Sequence, residues 1–356
     1  MRHAIRIGND AEPVRCAPGQ GILDAFLRAG RWLPNSCNQG TCGTCKVRLC
    51  SGEVDHRESP TSTLPFDERH RGWLLACQAT PRTDIVLEPL AGSALGCTTA
   101  PLRDLLAVVE SVQDIARDTR RLILTLAEPL PFRAGQHVEL TVPGTEHSRR
   151  YSMANAPADN LRLELQVRRE PGGIASDKWT FGTAEPGQEV AVRGPLGDFW
   201  WEDDTDEPVV MLAGGTGLAP MLSMLRHALP RQPGREVTLF HGVRTRAHLY
   251  DQDFLNQLHA DHPSFRWVAC AGDCSTSAVD RFLADIASCR DRRGYLCGPP
   301  GMVDAGAAAF KRRRMAPRRI HRERFLPAAT SSTTTTSVRP DQRRTAGPFQ
   351  SATATA

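Results

Sequence analysis

The period of the apolar positions changes along the chain. Residues 104–202 alternate apolar and polar positions, as in "LAVVESV", "RLILTLA", "HVELTVP", "LRLELQVRR" and "EVAVRGP", with Gly, Pro and Asp turns between them. A period of two puts one set of side chains on one face of a strand. Short strands at this spacing predict a closed antiparallel barrel. The front reads differently. There "AIRI" and "PVRC" predict a hairpin, and "GILDAFLRAG" places Ile22, Leu23, Phe26 and Leu27 on one helical face. "KVRL" and "DIVLEP" supply further strands. The rear opens on "PVVMLAGGTGLAPMLSMLRHAL", an apolar strand, a glycine turn and an amphipathic helix. "EVTLFHGVRT" gives a second strand ending near Arg244, and "YLCGPPGMVDA" gives a third landmark.

Composition narrows the classes. A length of 356 residues predicts two or three domains, and 40% hydrophobic with 24% charged residues is that of an ordinary soluble protein. No apolar run reaches eighteen residues, and "MRHAIRIGNDAEP" lacks the apolar core of a signal peptide, so the expectation is a cytoplasmic protein without a membrane span. The net charge of +4 is modest. The basic run "KRRRMAPRRIHRER", residues 311–324, has no aromatic interleaving, so no nucleic-acid partner is expected and a solvated face is favoured over docking of an acidic partner. From about Ala328 the chain turns polar and low in complexity, a composition that predicts disorder over 328–356.

Eleven cysteines, an odd number, argue against a disulfide framework and for metal or redox use. In "NSCNQGTCGTCKVRL", Cys37, Cys42 and Cys45 are spaced C-x4-C-x2-C, and "LLACQA" adds Cys77. This is the plant-type spacing for a 2Fe-2S cluster. One loop wraps a compact anionic cluster, presents thiolates from several directions, and aims backbone N–H groups at sulfur. Gly40 and Gly43 allow the close approach. A zinc site usually carries two separated C-x2-C knuckles, and here there is one. Cys16, Cys50, Cys97, Cys270, Cys274 and Cys289 fit no ligand pattern and read as buried or incidental thiols.

Three further motifs complete the chemistry. "RRYSMANAP" contains Arg149-x-Tyr151-Ser152; "LQVRREPGGIAS" contains Val167, Gly172, Gly173 and Ser176; "GPLGDFW" follows. In order along the chain they resemble the flavin elements of the ferredoxin–NADP reductase superfamily. The resemblance implies that Arg149 pairs with a flavin phosphate, Tyr151 packs on the isoalloxazine and Ser152 lies near flavin N5. It also implies that Gly172, Gly173 and Ser176 hold the pyrophosphate at a helix start, with Val167 in the strand before them counted among the contacts. The turn Gly214-Gly215-Thr216-Gly217 with Pro220 departs from G-x-G-x-x-G and resembles the G-G-T-G-x-A-P form of that superfamily. Arg244 is assigned to the same nucleotide site. Cys297, Gly298 and Pro299 resemble the segment in which a cysteine meets the nicotinamide beside the flavin, and Glu323 and Phe325 stand where relatives carry an acid and an aromatic near the flavin face.

Together the motifs resemble the single-chain reductases of bacterial ring-hydroxylating dioxygenases over about residues 1–327. That resemblance implies a multidomain α+β and α/β architecture. A β-grasp 2Fe-2S ferredoxin domain would span 1–92, a linker 93–103, an antiparallel β-barrel FAD domain 104–202, and a doubly wound, parallel-sheet NAD(P) domain 203–327. It implies FAD, a 2Fe-2S cluster and NADH as cofactors, with Arg246 keeping NADPH open. The expected partner is a terminal oxygenase or a Rieske ferredoxin, served by a monomer. The reductase of a phenol- or methane-type monooxygenase shares every motif and stays open, as does a non-enzymatic electron carrier or redox-sensing module.

Overall fold

The computed structural model describes residues 2–8, 12–88, 100–273 and 277–326. The expected linker after Pro89 falls largely outside these residues, and Cys97, Cys274 and the tail from 328 fall wholly outside them.

The front comprises β1 (His3–Ile7), β2 (Val14–Cys16), α1 (Ile22–Arg28), β3 (Lys46–Ser51) and β4 (Val54–Asp55), then α2 (Phe66–His70), β5 (Trp73–Leu75), β6 (Thr80–Pro81) and β7 (Ile85–Leu87). Its five-stranded sheet runs β2-β1-β7-β3-β5 and is mixed, because β1 pairs parallel with β7 and the other pairs are antiparallel. In α1, Ile22, Leu23, Phe26 and Leu27 are all buried, while Asp24 and Arg28 pair across one turn on the outer side.

The middle holds β8 (Arg103–Ala116), β9 (Thr119–Leu126), β10 (His137–Thr141), β11 (Ser148–Ser152), β12 (Arg162–Arg168), a π-helix (Ile174–Thr183) and β13 (Glu189–Leu196). These form a six-stranded antiparallel sheet in the order β11-β10-β13-β8-β9-β12. A single antiparallel bridge between Met153 and Leu165 links the two outer strands. Leu122, Leu124, Val138, Leu140, Leu163, Leu165 and Val190 pack inside, which is where the period-two pattern sends them.

The rear alternates strand and helix: β14 (Val209–Gly214), a 3-10 turn (Gly215–Gly217), α3 (Leu218–Ala228), β15 (Val237–Val243), α4 (Gln252–Asp261), β16 (Phe265–Ala271), α5 (Ala278–Asp285), β17 (Arg293–Gly298), α6 (Pro300–Arg312) and β18 (Ile320–Arg324). The five strands are all parallel, in the order β16-β15-β14-β17-β18. Alternate β14 side chains enter two cores. Met211 and Ala213 meet α3, while Val210 and Leu212 meet Phe282 of α5 and Phe310 of α6. The chain order reverses between β14 and β17, so the crevice at their carboxyl ends is the topological switch point. No helix among the described residues is long and apolar enough to cross a membrane.

Contacts tie the three sheets together. Leu102 and Leu196 bury into the front core, and Leu102 N–H bonds to Leu27 O at 2.9 Å. Arg28 bridges Asp24 and Asp104, and Arg193 reaches Asp24. On the other side Arg226 of α3 bonds to Ala154 O and Glu164, both at 2.7 Å, and Ser223 Oγ donates to Asn155 O at 2.7 Å.

Candidate functional site

The cysteine loop runs between α1 and β3, and its turns need left-handed backbone at Asn38, Gly40 and Gly43, with φ of 47°, 79° and 75°. A Cβ on Gly40 would lie 3.0 Å from Pro60 and 3.1 Å from Gln78. The thiols form two pairs. Cys37 N–H lies 3.4 Å from Cys42 Sγ, Cys42 N–H 3.3 Å from Cys37 Sγ, and the Cys45 and Cys77 sulfurs are 3.1 Å apart. Gln39 and Thr44 N–H groups also point at these sulfurs, at 3.4 and 3.5 Å. Within the first pair, the hydrogen bond from Cys42 holds the Cys37 thiol down at about 4 against the opposing effect of burial. The bond between Cys45 and Cys77 raises the first and lowers the second. Among the described residues no three His, Cys, Asp or Glu side chains converge on a point suited to one metal ion. Two thiol pairs ringed by N–H donors fit a two-iron group, one pair to each iron. Cys42 is the exposed corner of the set.

Alternation splits the flavin motif between the two faces of β11. Arg149 and Tyr151 stand opposite Leu140 and Val138, whereas Ser152 stands opposite His137. Arg149 donates to Ser148 O at 2.8 Å, and among the described residues no carboxylate pairs with it. A guanidinium without an acid is what a phosphate requires. Burial pushes the Tyr151 phenol up, with the Arg149 charge opposing. Val167 is fully buried in the middle core and faces Arg120 across the ladder, so only its main chain is available to a ligand.

The second flavin element forms the entry to the π-helix. Gly172 has φ of 75°, and its N–H is taken by Asp177 Oδ2 at 2.8 Å. A Cβ on Gly173 would lie 2.6 Å from Ser176 Oγ, and that hydroxyl accepts from Glu170 N–H at 3.1 Å. The first amides of the helix lack intrahelical acceptors and suit an anion. Asp177, paired with Arg169 at 2.6 Å, already places a negative charge at this turn.

The nucleotide turn sits at the switch point, and its glycines divide by task. The sequence expectation gave Gly214, Gly215 and Gly217 one role, close approach to a pyrophosphate. Only Gly215, with φ of 55°, has open space where a Cβ would go. A Cβ on Gly217 would lie 2.2 Å from Cys297 O, and one on Gly214 would lie 2.9 Å from both Pro299 and Met302. Gly217 lets the turn lie against the β17 backbone, and Gly214 leaves room for the Pro299 and Met302 side chains at the start of α6. Gly298, with φ of 141°, completes the contact, its Cβ position 2.8 Å from Gly214 O. Thr216 lies within the 3-10 turn, and Pro220 is buried in the first turn of α3. Beneath the turn His241 is fully buried and pushed down to about 4 by that burial, so it is neutral and its Nε2–H donates to Gly215 O at 3.1 Å. Arg244 and Arg246 are exposed past the end of β15, and among the described residues neither guanidinium meets a carboxylate.

The remaining candidates converge where the middle and rear sheets meet. Cys297 is fully buried, and burial drives its thiol well up. Cys297 registers against Glu323 between β17 and β18, and Phe325 N–H bonds to Gly298 O at 2.9 Å. Cys297 and Phe325 pack in the cluster that also holds Ala134 and Ala154 of the middle unit. Glu323 Oε1 lies 3.4 Å from His137 Nδ1. From the front unit, Asn35 accepts Gly197 N–H at 2.8 Å. The cysteine loop, the Ser152 strand and the Cys297 turn are thus tied to one junction, while the Gly172–Ser176 turn and Arg244 are not part of it.

Comparison with known proteins agrees with this layout. Family models match in chain order: a 2Fe-2S iron-sulfur cluster binding domain over residues 6–82, an oxidoreductase FAD-binding domain over 106–201 and an oxidoreductase NAD-binding domain over 211–307. The aromatic O-demethylase reductase subunit of an Amycolatopsis species is 52% identical over 92% of this chain and 100% of that protein. The chain belongs to the single-chain FAD/NAD(P)H reductases with an N-terminal 2Fe-2S domain, components of multicomponent oxygenase systems. This reductase is also 36% identical to the reductase component of phenol 2-monooxygenase from a Pseudomonas species, over 92% of the chain and 96% of that protein. It is 31% identical to the reductase component of the Pseudomonas putida naphthalene 1,2-dioxygenase system, over 87% and 94%. The crystal structure of the Amycolatopsis cytochrome P450 reductase GcoB superposes with a TM-score of 0.88 at 51% identity, covering 92% of this chain and 100% of that one.

The reductase is an NAD(P)H-dependent flavin and iron–sulfur oxidoreductase, with binding domains for the cluster, FAD and NAD(P)H. Its structure adds residues that sequence reasoning passed over: Asn35, His137 and His241. Each is a lone polar residue in an apolar or turn segment, and nothing in "GQHVEL" or "LFHGVR" separates a junction histidine from ordinary packing.

Proposed function

We propose that this chain is the reductase component of a monooxygenase system, taking hydride from NADH and passing single electrons to an oxygenase that demethylates methoxy-aromatic compounds. The carrying observation is the 52% identity over the whole length of an aromatic O-demethylase reductase subunit, joined to the 51% identity with a cytochrome P450 reductase. The dioxygenase assignment expected from the motifs has weaker support, at 31% identity. The partner reading therefore moves to the monooxygenase side.

In this reading the front sheet is a β-grasp ferredoxin unit and the middle sheet a flavin barrel, with unit boundaries near residues 92, 104 and 203. Cys37 and Cys42 hold one iron, Cys45 and Cys77 the other. Arg149 clamps a flavin phosphate, Tyr151 covers the ring, and Ser152 lies by the reacting nitrogen. Gly215 and the start of α3 receive the dinucleotide phosphates, and Cys297 abuts the nicotinamide. Bound flavin supplies the exchange between a two-electron donor and a one-electron acceptor. The protein excludes water with the Cys297–Phe325–Ala154 packing and fixes the cluster loop to the flavin unit through Asn35. Reconstitution tests the reading. The full-length reductase, NADH, a demethylating cytochrome P450 and a methoxy-aromatic substrate should release formaldehyde in step with NADH consumption. Brisk reduction of cytochrome c, with a Rieske dioxygenase served and no P450 served, would return the assignment to the dioxygenase side.

A further inference from the structure

The loop between β15 and α4 belongs to the nucleotide unit, yet the flavin unit holds it at three places. Arg117 N–H, in the β8–β9 turn, donates to Ala247 O at 2.8 Å. Tyr250 Oη donates to Gln166 Oε1 of β12 at 2.8 Å. Asp251 accepts from Gln166 Nε2 at 3.2 Å and pairs with the Arg121 guanidinium of β9. Asp251 has φ of 54°, a left-handed backbone that residues other than glycine adopt sparingly. A loop bent in this way and bonded to two strands of another sheet is held for its position.

Tyr250 is the member that touches the nucleotide turn. Its ring packs in the same cluster as Cys297, and both Tyr250 and Gln166 are buried. Burial drives the phenol well above its ordinary range, so the hydroxyl stays protonated and acts as a donor. Its one proton has two acceptors, Gln166 Oε1 at 2.8 Å and Gly215 O at 3.1 Å. The Gln166 amide cannot turn round without setting its oxygen against the Asp251 carboxylate, so its carbonyl end faces the phenol. His241 lies edge-on to the Tyr250 ring at 5.4 Å and donates to the same Gly215 O. Gly215 O is thus met by one group of its own unit and by one tied to β12, where Gln166 directly precedes Val167. An apolar contact between two units tolerates sliding, whereas a directional bond in a dry interior fixes register.

We propose that Tyr250 sets the register of the nucleotide turn against the flavin sheet, with Gln166 as its anchor on that sheet. It is a positioning residue. It fixes where Gly215 and the start of α3 stand relative to β12, and so how a nucleotide held by the turn is presented to the flavin unit. The grip on the phosphates stays with the turn amides and with His241 beneath them. Asp251 and Arg121 keep Gln166 in the orientation that accepts from the phenol. The proposal rests on the reading of Gly215 as the phosphate-receiving turn given above.

The test uses full-length, flavin-loaded protein. Tyr250→Phe keeps the ring and removes only the hydroxyl. At saturating NADH, bleaching of the flavin in stopped flow should slow about tenfold, the scale of a small misplacement at a reacting centre. NAD+ affinity, read by calorimetry, should stay within about twofold, because binding and presentation are separate. Gln166→Leu should give the same two results, and the double variant should be no slower than either single, since both remove one bond. A slowing of about a hundredfold in the double variant would mean two independent effects and would overturn the proposal. So would a lowered melting temperature with an unchanged bleaching rate at saturation, which is what a merely structural role predicts. Should Gln166→Leu fail to accumulate, the bleaching rate and calorimetry of Tyr250→Phe decide alone. Gly215→Ala tests the underlying reading separately, because its methyl group would project into open space. Unchanged NAD+ affinity there would sink the phosphate-turn reading, whatever the Tyr250 variant does.

Discussion

Asn35 offers the sharpest test of how the front unit is held to the flavin. Its side chain is 1% exposed, its amide donates to Leu33 O at 2.8 Å, and its carbonyl accepts Gly197 N–H at 2.8 Å. Replacement by Ala leaves both backbone groups without partners in a place water does not reach. An orphaned buried group costs about 1–3 kcal/mol, so losing the Gly197 bond alone should lower the melting temperature of the affected unit by about 4–8 °C for each kcal/mol. The functional effect should exceed the thermal one, because Gly197 leads into His137 on one side and Asn35 into Cys37 on the other. NADH-to-ferricyanide turnover, which needs only the flavin, should stay within about twofold, whereas cytochrome c reduction through the cluster should fall about tenfold, as small misplacements near reacting centres do. Asn35→Asp keeps the acceptor for Gly197 but sets an oxygen against Leu33 O, and should fall between the two. Equal loss of both activities in Asn35→Ala, or loss of neither, would refute the view that this bond couples the units.

Gly217→Ala should press a methyl group into the Cys297 carbonyl, 2.2 Å away. The strain of about 1–3 kcal/mol should raise the NADH KM without bleaching or releasing the flavin, read by steady-state kinetics and the visible spectrum. On the proposed role of Arg149 as the flavin-phosphate clamp, Arg149→Ala removes a charge-assisted contact of about 1.5–3 kcal/mol. Flavin affinity should drop about 10- to 100-fold on reconstitution of apoprotein, and normal flavin retention would show that the phosphate lies elsewhere. Acid should unfold the rear unit through two histidines that burial pushes down to about 4, His241 under Gly215 and His321, which accepts from Arg293 at 3.0 Å. The unfolded chain binds their protons near the ordinary value of 6.5, so stability is intact above that value and is lost as pH falls towards 4. Denaturant melts at pH 7, 6 and 5 should record the decline, and His241→Asn should flatten part of it.

Much of this protein was legible in its residue order. Periods of two and 3.6 placed α1, α3 and most strands of the middle sheet, because local burial patterns depend on neighbours a few residues apart, but passed over α2, β5, α4, β16 and α5. Buried Cys16, Cys270 and Cys289 agree with their reading as thiols outside any ligand set, while Cys50 is exposed. The basic run 311–324 was only partly a solvated face: Arg313 bonds to Leu283 O, Arg319 to Arg290 O and Glu207, and Arg324 to Asp304, while Lys311, Arg312, Arg314, Arg318 and Arg322 are exposed. The turn before Ile174 was read as a helix start, but neither the π-helical winding nor the carboxylate of Asp177 at its entry has a signal in the sequence.

The sequence by itself determined the kinds of element, the thiol spacing and the glycine turns, since these are set by chain-local sterics and by which side chains avoid water. Only the tertiary structure decided which glycine faces open space and which faces Cys297 O. It alone brought His137 and Glu323 to 3.4 Å across 186 positions of chain. Packing of three separate sheets against one another sets those meetings. No pattern of period two or 3.6 reports which surface of one sheet will be buried by another.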